Sequence, residues 1–244
     1  MSKKEISKEL LKEVEGLETL DLEQDLEGKE TQQEKKVEVT IPKVNLVDSS
    51  KLSKKDKNTI AVYPYLNAEG ALQYEVLRRK GLGQKFLVRS YDKNGKEVYG
   101  LQEDKKLVPY NLPKVLEAIK EEKIIWITEG ESKADTLNKL GFTCTTCAFT
   151  GAEKWSDYYS NFLKGATRII VLGDNDKNGE EFVYNTATSL SETLDNVKVW
   201  PLMLTEIYSN LKLGGDIDDL IEVLGVDTVK NTLESIETNF EVED

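Results

Sequence analysis

Two short stretches decide the reading of this chain: Ile124-Ile-Trp-Ile-Thr-Glu129-Gly130 and Arg168-Ile-Ile-Val-Leu-Gly-Asp174-Asn-Asp176. Each is a continuous apolar run, too short for a helix, that stops at an acid beside a glycine. Such runs read as strands buried on both faces, as in a parallel sheet. The segments around them alternate in kind. Helices are expected over 112–119, 132–140, 155–163 and 180–194, and further strands over 142–148 and 197–200. Pro113 sits in the first turn of one helix and Gly141 just past the end of another, where each residue is favoured. The expected fold is α/β, a mainly parallel sheet flanked by helices, because strand–helix alternation builds that architecture. Two late helices are expected over 218–224 and 229–236.

Upstream the pattern changes to short β-like runs over 59–66, 73–78, 85–89 and 97–101. They are separated by the turn signals Asn67-Ala-Glu-Gly70 and Asp92-Lys-Asn-Gly95. This is a small antiparallel meander of four or five strands. Residues 51–110 carry 13 basic and 7 acidic side chains inside a chain whose net charge is −12. Local charge governs phosphate contacts, since screening limits the field to roughly 8–10 Å. Arg78, Arg79, Lys80, Lys85 and Arg89 alternate there with Tyr74, Phe86 and Tyr91, the mixture that a single-stranded nucleic acid platform uses. An ordinary sheet with a solvated basic face is the competing reading.

Four segments follow: an acidic arm over 1–50, disordered or partly helical; the basic β-rich segment over 51–110; the α/β domain over 111–225; and an acidic helical tail over 226–244. In the arm, Leu10, Leu11, Val14, Leu17 and Leu20 recur at helical spacing. The amino terminus lacks the apolar core of a signal peptide, and no stretch approaches a membrane span. A cytoplasmic protein is expected, with no membrane partner. The chain has no histidine and two cysteines, which removes catalytic His and any four-ligand Cys/His zinc site. Cys144 and Cys147 fall on a strand and its end, so their CxxC spacing is read as structural rather than redox-active.

In open parallel sheets ligands bind beyond the carboxyl ends of strands. If the two acid-tipped strands are neighbours, Glu129, Asp174 and Asp176 converge, and their repulsion is relieved by a divalent cation. Oxygen ligands alone select Mg²⁺ or Mn²⁺. A third cluster, Gly214-Gly215-Asp216-Ile-Asp218-Asp219, would add an acidic wall. Taken singly, each acid is equally a helix cap or turn residue. Residues 174–179 also imitate the start of an EF-hand loop, but the twelfth position is Asn185 and a strand precedes it, not a helix.

The Glu129-Gly130 and Asp174-Asn-Asp176 strand ends together resemble the Toprim domain shared by bacterial and phage primases, topoisomerases and some nucleases. Asp216-Ile-Asp218-Asp219 resembles the later acidic motif of the primase branch. Asn111-Leu-Pro-Lys-Val-Leu and Gly151-Ala-Glu-Lys154-Trp155 are similar to phage and plasmid primase-like proteins, in which a basic β segment precedes the core. The resemblance implies Glu129 as general acid/base, Asp174 and Asp176 as metal ligands beside Glu129, and Asp216 and Asp218 as auxiliary acids. It departs at Lys133, where primases commonly carry Asp. Either a second metal position lacks its ligand, or Lys133 contacts phosphate, as Lys154 would. Asp135 lies on a different face of that helix. The implied activity is primase-like nucleotidyl transfer with nucleotides and single-stranded DNA, with a replicative helicase in trans because the chain has no GxxxxGK[ST] loop. A metal-dependent nuclease and a non-catalytic DNA-binding accessory protein are the alternatives.

Overall fold

The computed structural model describes residues 58–81, 85–148 and 155–242. The acidic arm and Lys154 lie outside these residues. Among the described residues no helix is long and apolar enough to cross a membrane.

The chain first forms an antiparallel meander in the order β1-β2-β3-β4: β1 Thr59–Leu66, β2 Leu72–Arg79, β3 Phe86–Tyr91 and β4 Glu97–Tyr99. Both expected turns form. Asn67 Oδ1 accepts from the Ala71 amide at 2.8 Å. Asp92 Oδ1 accepts from Asn94 and Lys96 amides at 2.8 and 2.9 Å, which fixes an Asx turn. The register pairs Tyr65 with Tyr74, Tyr63 with Val76, and Val76 with Val88. These residues share one face, and all are buried. Arg78 pairs with Phe86 on that same face, past the last buried pair. Period-2 alternation therefore carries Arg78 and Phe86 to the edge of the core.

The second sheet is wholly parallel, in the order β6-β5-β7-β8, with β5 Ile125–Thr128, β6 Thr143–Thr145, β7 Arg168–Gly173 and β8 Lys198–Met203. The two acid-tipped strands are neighbours, with Thr128 opposite Leu172. Helices α1 Leu112–Lys120, α2 Glu131–Leu140, α3 Asp157–Ser160 and α4 Lys177–Thr193 connect them. A 3₁₀ turn at Asn161–Leu163 follows α3, so one continuous helix over 155–163 does not form. After β8 come α5 Leu204–Ile207, α6 Ile217–Leu224 and α7 Val226–Val242. Strand β6 is shorter than expected, and β8 runs on through Pro201. Proline is tolerated there because β8 is an edge strand.

One hydrophobic cluster spans both sheets, from Tyr63, Tyr65 and Val88 through Trp126 and Ile170 to Val229, Leu233 and Phe240. The acidic tail is thus a packed helix. Phe240 meets Trp200 edge-on at 5.5 Å, and the Trp126 indole N–H donates to Glu237 Oε1 at 2.6 Å. The sheets are joined by tyrosines: Tyr65 stacks on Tyr74 at 4.6 Å and tilts against Tyr110 at 5.3 Å. Burying one such ring contributes roughly 4–6 kcal/mol of gross transfer energy.

Candidate active site

Glu129 is the first residue beyond β5. Gly130 follows at φ 94°, a backbone conformation suited to glycine, and caps α2. Its amide donates to Thr146 Oγ1 at 3.1 Å, fixing the turn. The turn aims the start of α2 into a cleft of about 290 Å³. Glu129 through Lys133 form one wall of this cleft. Tyr63, Arg78 and Phe86 come from the meander, and Asp216 and Asp218 from the start of α6.

The end of β7 is built against a second loop. Asn175 Nδ2 donates to the Leu211 and Lys212 carbonyls at 2.8 and 2.9 Å. The Asn175 amide donates to Gly215 O at 2.9 Å, and the Gly214 amide to Asn175 O at 2.7 Å. This clamp sets Asp216 beside Asp174. A Cβ at Gly179 would stand 2.3 Å from the Asp174 carbonyl oxygen, so α4 packs too closely for any side chain there. Asp176 accepts from the Gly179 amide at 2.8 Å and caps α4. Asp216 accepts from the Asp218 and Asp219 amides at 3.0 and 3.1 Å and caps α6. Asp218 accepts from Thr136 Oγ1 at 2.7 Å, tying α6 to α2.

Asp174 is 8% exposed. Burial pushes its carboxyl up to about 6; the Lys133 ammonium, hydrogen-bonded to Oδ2, opposes this, while the negative charges of Glu129 and Asp216 add to it. Lys133, Glu129 and Asp216 therefore all lie within electrostatic reach of Asp174. Glu131 is 4% exposed. Burial raises its carboxyl, against the Tyr65 hydroxyl that donates to Oε1 at 2.8 Å. Tyr110 donates to Asp135 at 2.8 Å. Burial pushes the Tyr110 phenol up, so it remains a donor at neutral pH.

Of the residues singled out by sequence, Glu129, Asp216, Asp218, Arg78 and Lys133 line one cleft, and Asp174 joins them through Lys133. Asp176 does not line it. Arg79, Lys80 and Lys85 also stand outside. Arg89 lies on the other face of the meander, paired with Glu75 at 2.7 Å and Glu97 at 3.2 Å, its guanidinium 5.9 Å from the centre of the Tyr91 ring. Cys144 and Cys147 are buried and not disulfide-bonded. Sequence reasoning missed Glu131, Ser132 and Tyr63 as lining groups and Asn175 as the clamp. Glu131 carries only the signal of a first-turn helix acid, and Asn175 reads as the filler of Asp-x-Asp.

The oxygens of Glu129, Asp216 and Asp218 suit Mg²⁺ or Mn²⁺ in kind. Among the described residues no three His, Cys, Asp or Glu side chains are grouped to hold an ion. Mg²⁺ is commonly held by one or two carboxylates plus substrate phosphates, without an all-protein cage.

The chain matches no family model and no curated protein sequence. Its fold is similar to solved primase domains. A DNA primase domain from Pseudomonas aeruginosa aligns with TM-score 0.52 and 19% identity over 71% of this chain and 50% of that one. The Aquifex aeolicus primase, in a structure with zinc-binding and RNA polymerase domains, aligns with TM-score 0.56 and 20% identity over 78% and 44%. The DnaG catalytic core aligns with TM-score 0.51 and 16% identity over 71% and 52%. The chain spans about half the length of these structures, and the likeness is one of fold.

Proposed function

We propose that the protein is a primase-like nucleotidyltransferase of the Toprim type, extending short strands on single-stranded DNA in phage or plasmid replication. One observation carries the reading: a single cleft sets Arg78, Lys133 and two aromatic rings against Glu129, Asp216 and Asp218. The primase-like fold supports it.

In this reading Phe86, 40% exposed, offers a face for a base, and Arg78 offers a fork for phosphate oxygens. Glu129 takes the proton from an attacking 3′-hydroxyl. The 3′-oxygen then bonds the α-phosphorus, and pyrophosphate leaves with the electron pair of the broken P–O bond. Mg²⁺ or Mn²⁺, carried on the triphosphate and met by Glu129 with Asp216 or Asp218, would supply charge neutralisation at phosphorus. Template unwinding comes from a helicase in trans.

The test supplies single-stranded DNA, nucleoside triphosphates, Mg²⁺ or Mn²⁺ and a replicative helicase, and looks for oligonucleotides. Wild type makes them, and Glu129→Gln loses roughly 10²–10⁴-fold in rate. Cleavage without nucleotides, abolished in the same variant, would assign the cleft to a nuclease. DNA binding that survives Glu129→Gln, with neither product formed, would leave a binding module.

A further inference from the structure

We propose that Lys133 is a built-in counter-cation: its ammonium neutralises Asp174 where a second divalent ion would otherwise be needed, and leaves the cleft only the ion that a nucleotide brings. This deepens the reading of the cleft as a nucleotidyl-transfer site and rests on it for the identity of the ligand.

The argument starts from the end of β7. Asp174 is a buried carboxylate facing the charges of Glu129 and Asp216. A buried charge among like charges persists only with a cation beside it. Lys133 supplies that cation from the first turn of α2. Its Nζ hydrogen-bonds Asp174 Oδ2, and the two side chains are 19% and 12% exposed, so the pair is largely shielded from water. Asp176, the next acid along, is engaged in capping α4. Asp174 is thus closed to an ion by the ammonium, Asp176 lies outside the cleft lining, and among the described residues no three-acid group forms. Lys133 also lines the cleft, so a cation approaching Asp174 from that side meets an ammonium first. One positive charge is fixed to the helix, and the ion count of the site falls accordingly.

Mn²⁺ binding, followed by electron paramagnetic resonance on the full chain without nucleotide or DNA, tests this independently of turnover. Wild type should bind Mn²⁺ weakly, and Asp174→Asn should leave that binding unchanged. Lys133→Ala should tighten it by about tenfold, and Lys133→Asp by more, since added carboxylate charge raises affinity for hard cations. Lys133→Arg should behave as wild type, and Asp174→Asn placed on Lys133→Asp should abolish the gain. The proposal is overturned if Asp174→Asn weakens Mn²⁺ binding in the wild-type background, or if folded Lys133→Ala binds no more tightly than wild type. Should Lys133→Asp fail to fold, those two conservative variants decide. Failure here leaves the nucleotidyl-transfer reading standing, because oligonucleotide synthesis is measured separately.

Discussion

Tyr65→Phe removes one oxygen and tests how the meander is fixed to the α/β half. The Tyr65 hydroxyl donates to Glu131 Oε1 at 2.8 Å, and the two residues are 0% and 4% exposed. The ring stays stacked on Tyr74, so packing is preserved and only the donor is lost. A hydrogen bond to a charged, buried acceptor contributes about 1.5–3 kcal/mol, and leaving the acceptor unmet is what makes its loss costly. A loss of about 2 kcal/mol lowers Tm by roughly 4–8 °C in a domain of this size. Glu131→Gln behaves differently. Its amide oxygen still accepts from Tyr65, and the desolvated charge disappears, so stability at neutral pH should equal or exceed wild type. The pH dependence has a definite sign. Burial raises the Glu131 carboxyl, so its contribution is fully present below about 4.3, the unfolded value, and is lost as pH rises through the higher folded value. Thermal melts from about pH 4 to about pH 8 should show that part of the slope in wild type and not in Glu131→Gln. Equal destabilisation of both variants, or a Tyr65→Phe Tm within about 1 °C of wild type, would refute the reasoning.

Asp216 both lines the cleft and caps α6, and two substitutions separate these roles. Asp216→Ala should cost about 1 kcal/mol in urea unfolding through the lost cap, whereas Asp216→Asn keeps the cap within a few tenths; both should impair oligonucleotide synthesis, and activity retained in Asp216→Asn would remove its carboxylate from the chemistry. Burial pushes the Cys144 thiol up to about 12, so thiol reagents at mildly alkaline pH should label it only after denaturant is added; rapid labelling of the native protein would contradict this. Trp126→Phe removes the indole donor to Glu237 that links β5 to α7, and should cost about 1.5–3 kcal/mol by urea unfolding with the m-value unchanged.

The sheet interior was legible in the sequence because its signal is local. Ile125–Ile127 and Ile169–Leu172 are unbroken apolar runs, and burial on both faces accommodates them. Boundaries moved where a side chain acts on backbone. Asp176 caps α4, so the helix begins at Lys177, three residues before the expected start. Helix α7 runs to Val242 because Leu233 and Phe240 find the core, a tertiary effect that no cap signal records. From the sequence, Glu129, Asp174 and Asp176 are expected to converge if their strands are neighbours, with an acidic wall from 214–219; Asp216 does stand in the cleft with Glu129, while Asp176 caps α4 outside it. The Lys133–Asp174 pair and the Tyr65–Glu131 bond join residues 41 and 66 positions apart. Distance of that kind leaves no periodic trace. Arg78 and Arg89 looked alike as members of one basic run, and only the register separates them, one onto the cleft and one into carboxylates on the opposite face.

The central claim is that both sheets together hold nucleic acid at this one cleft. A short single strand carrying a photoactivatable thymidine analogue, crosslinked to the full chain and mapped by peptide mass, tests it most directly. The account predicts adducts at Phe86, diminished in Arg78→Glu and competed by unlabelled strand. Adducts confined to the β8–α7 side, with the Phe86 peptide unlabelled, would contradict it.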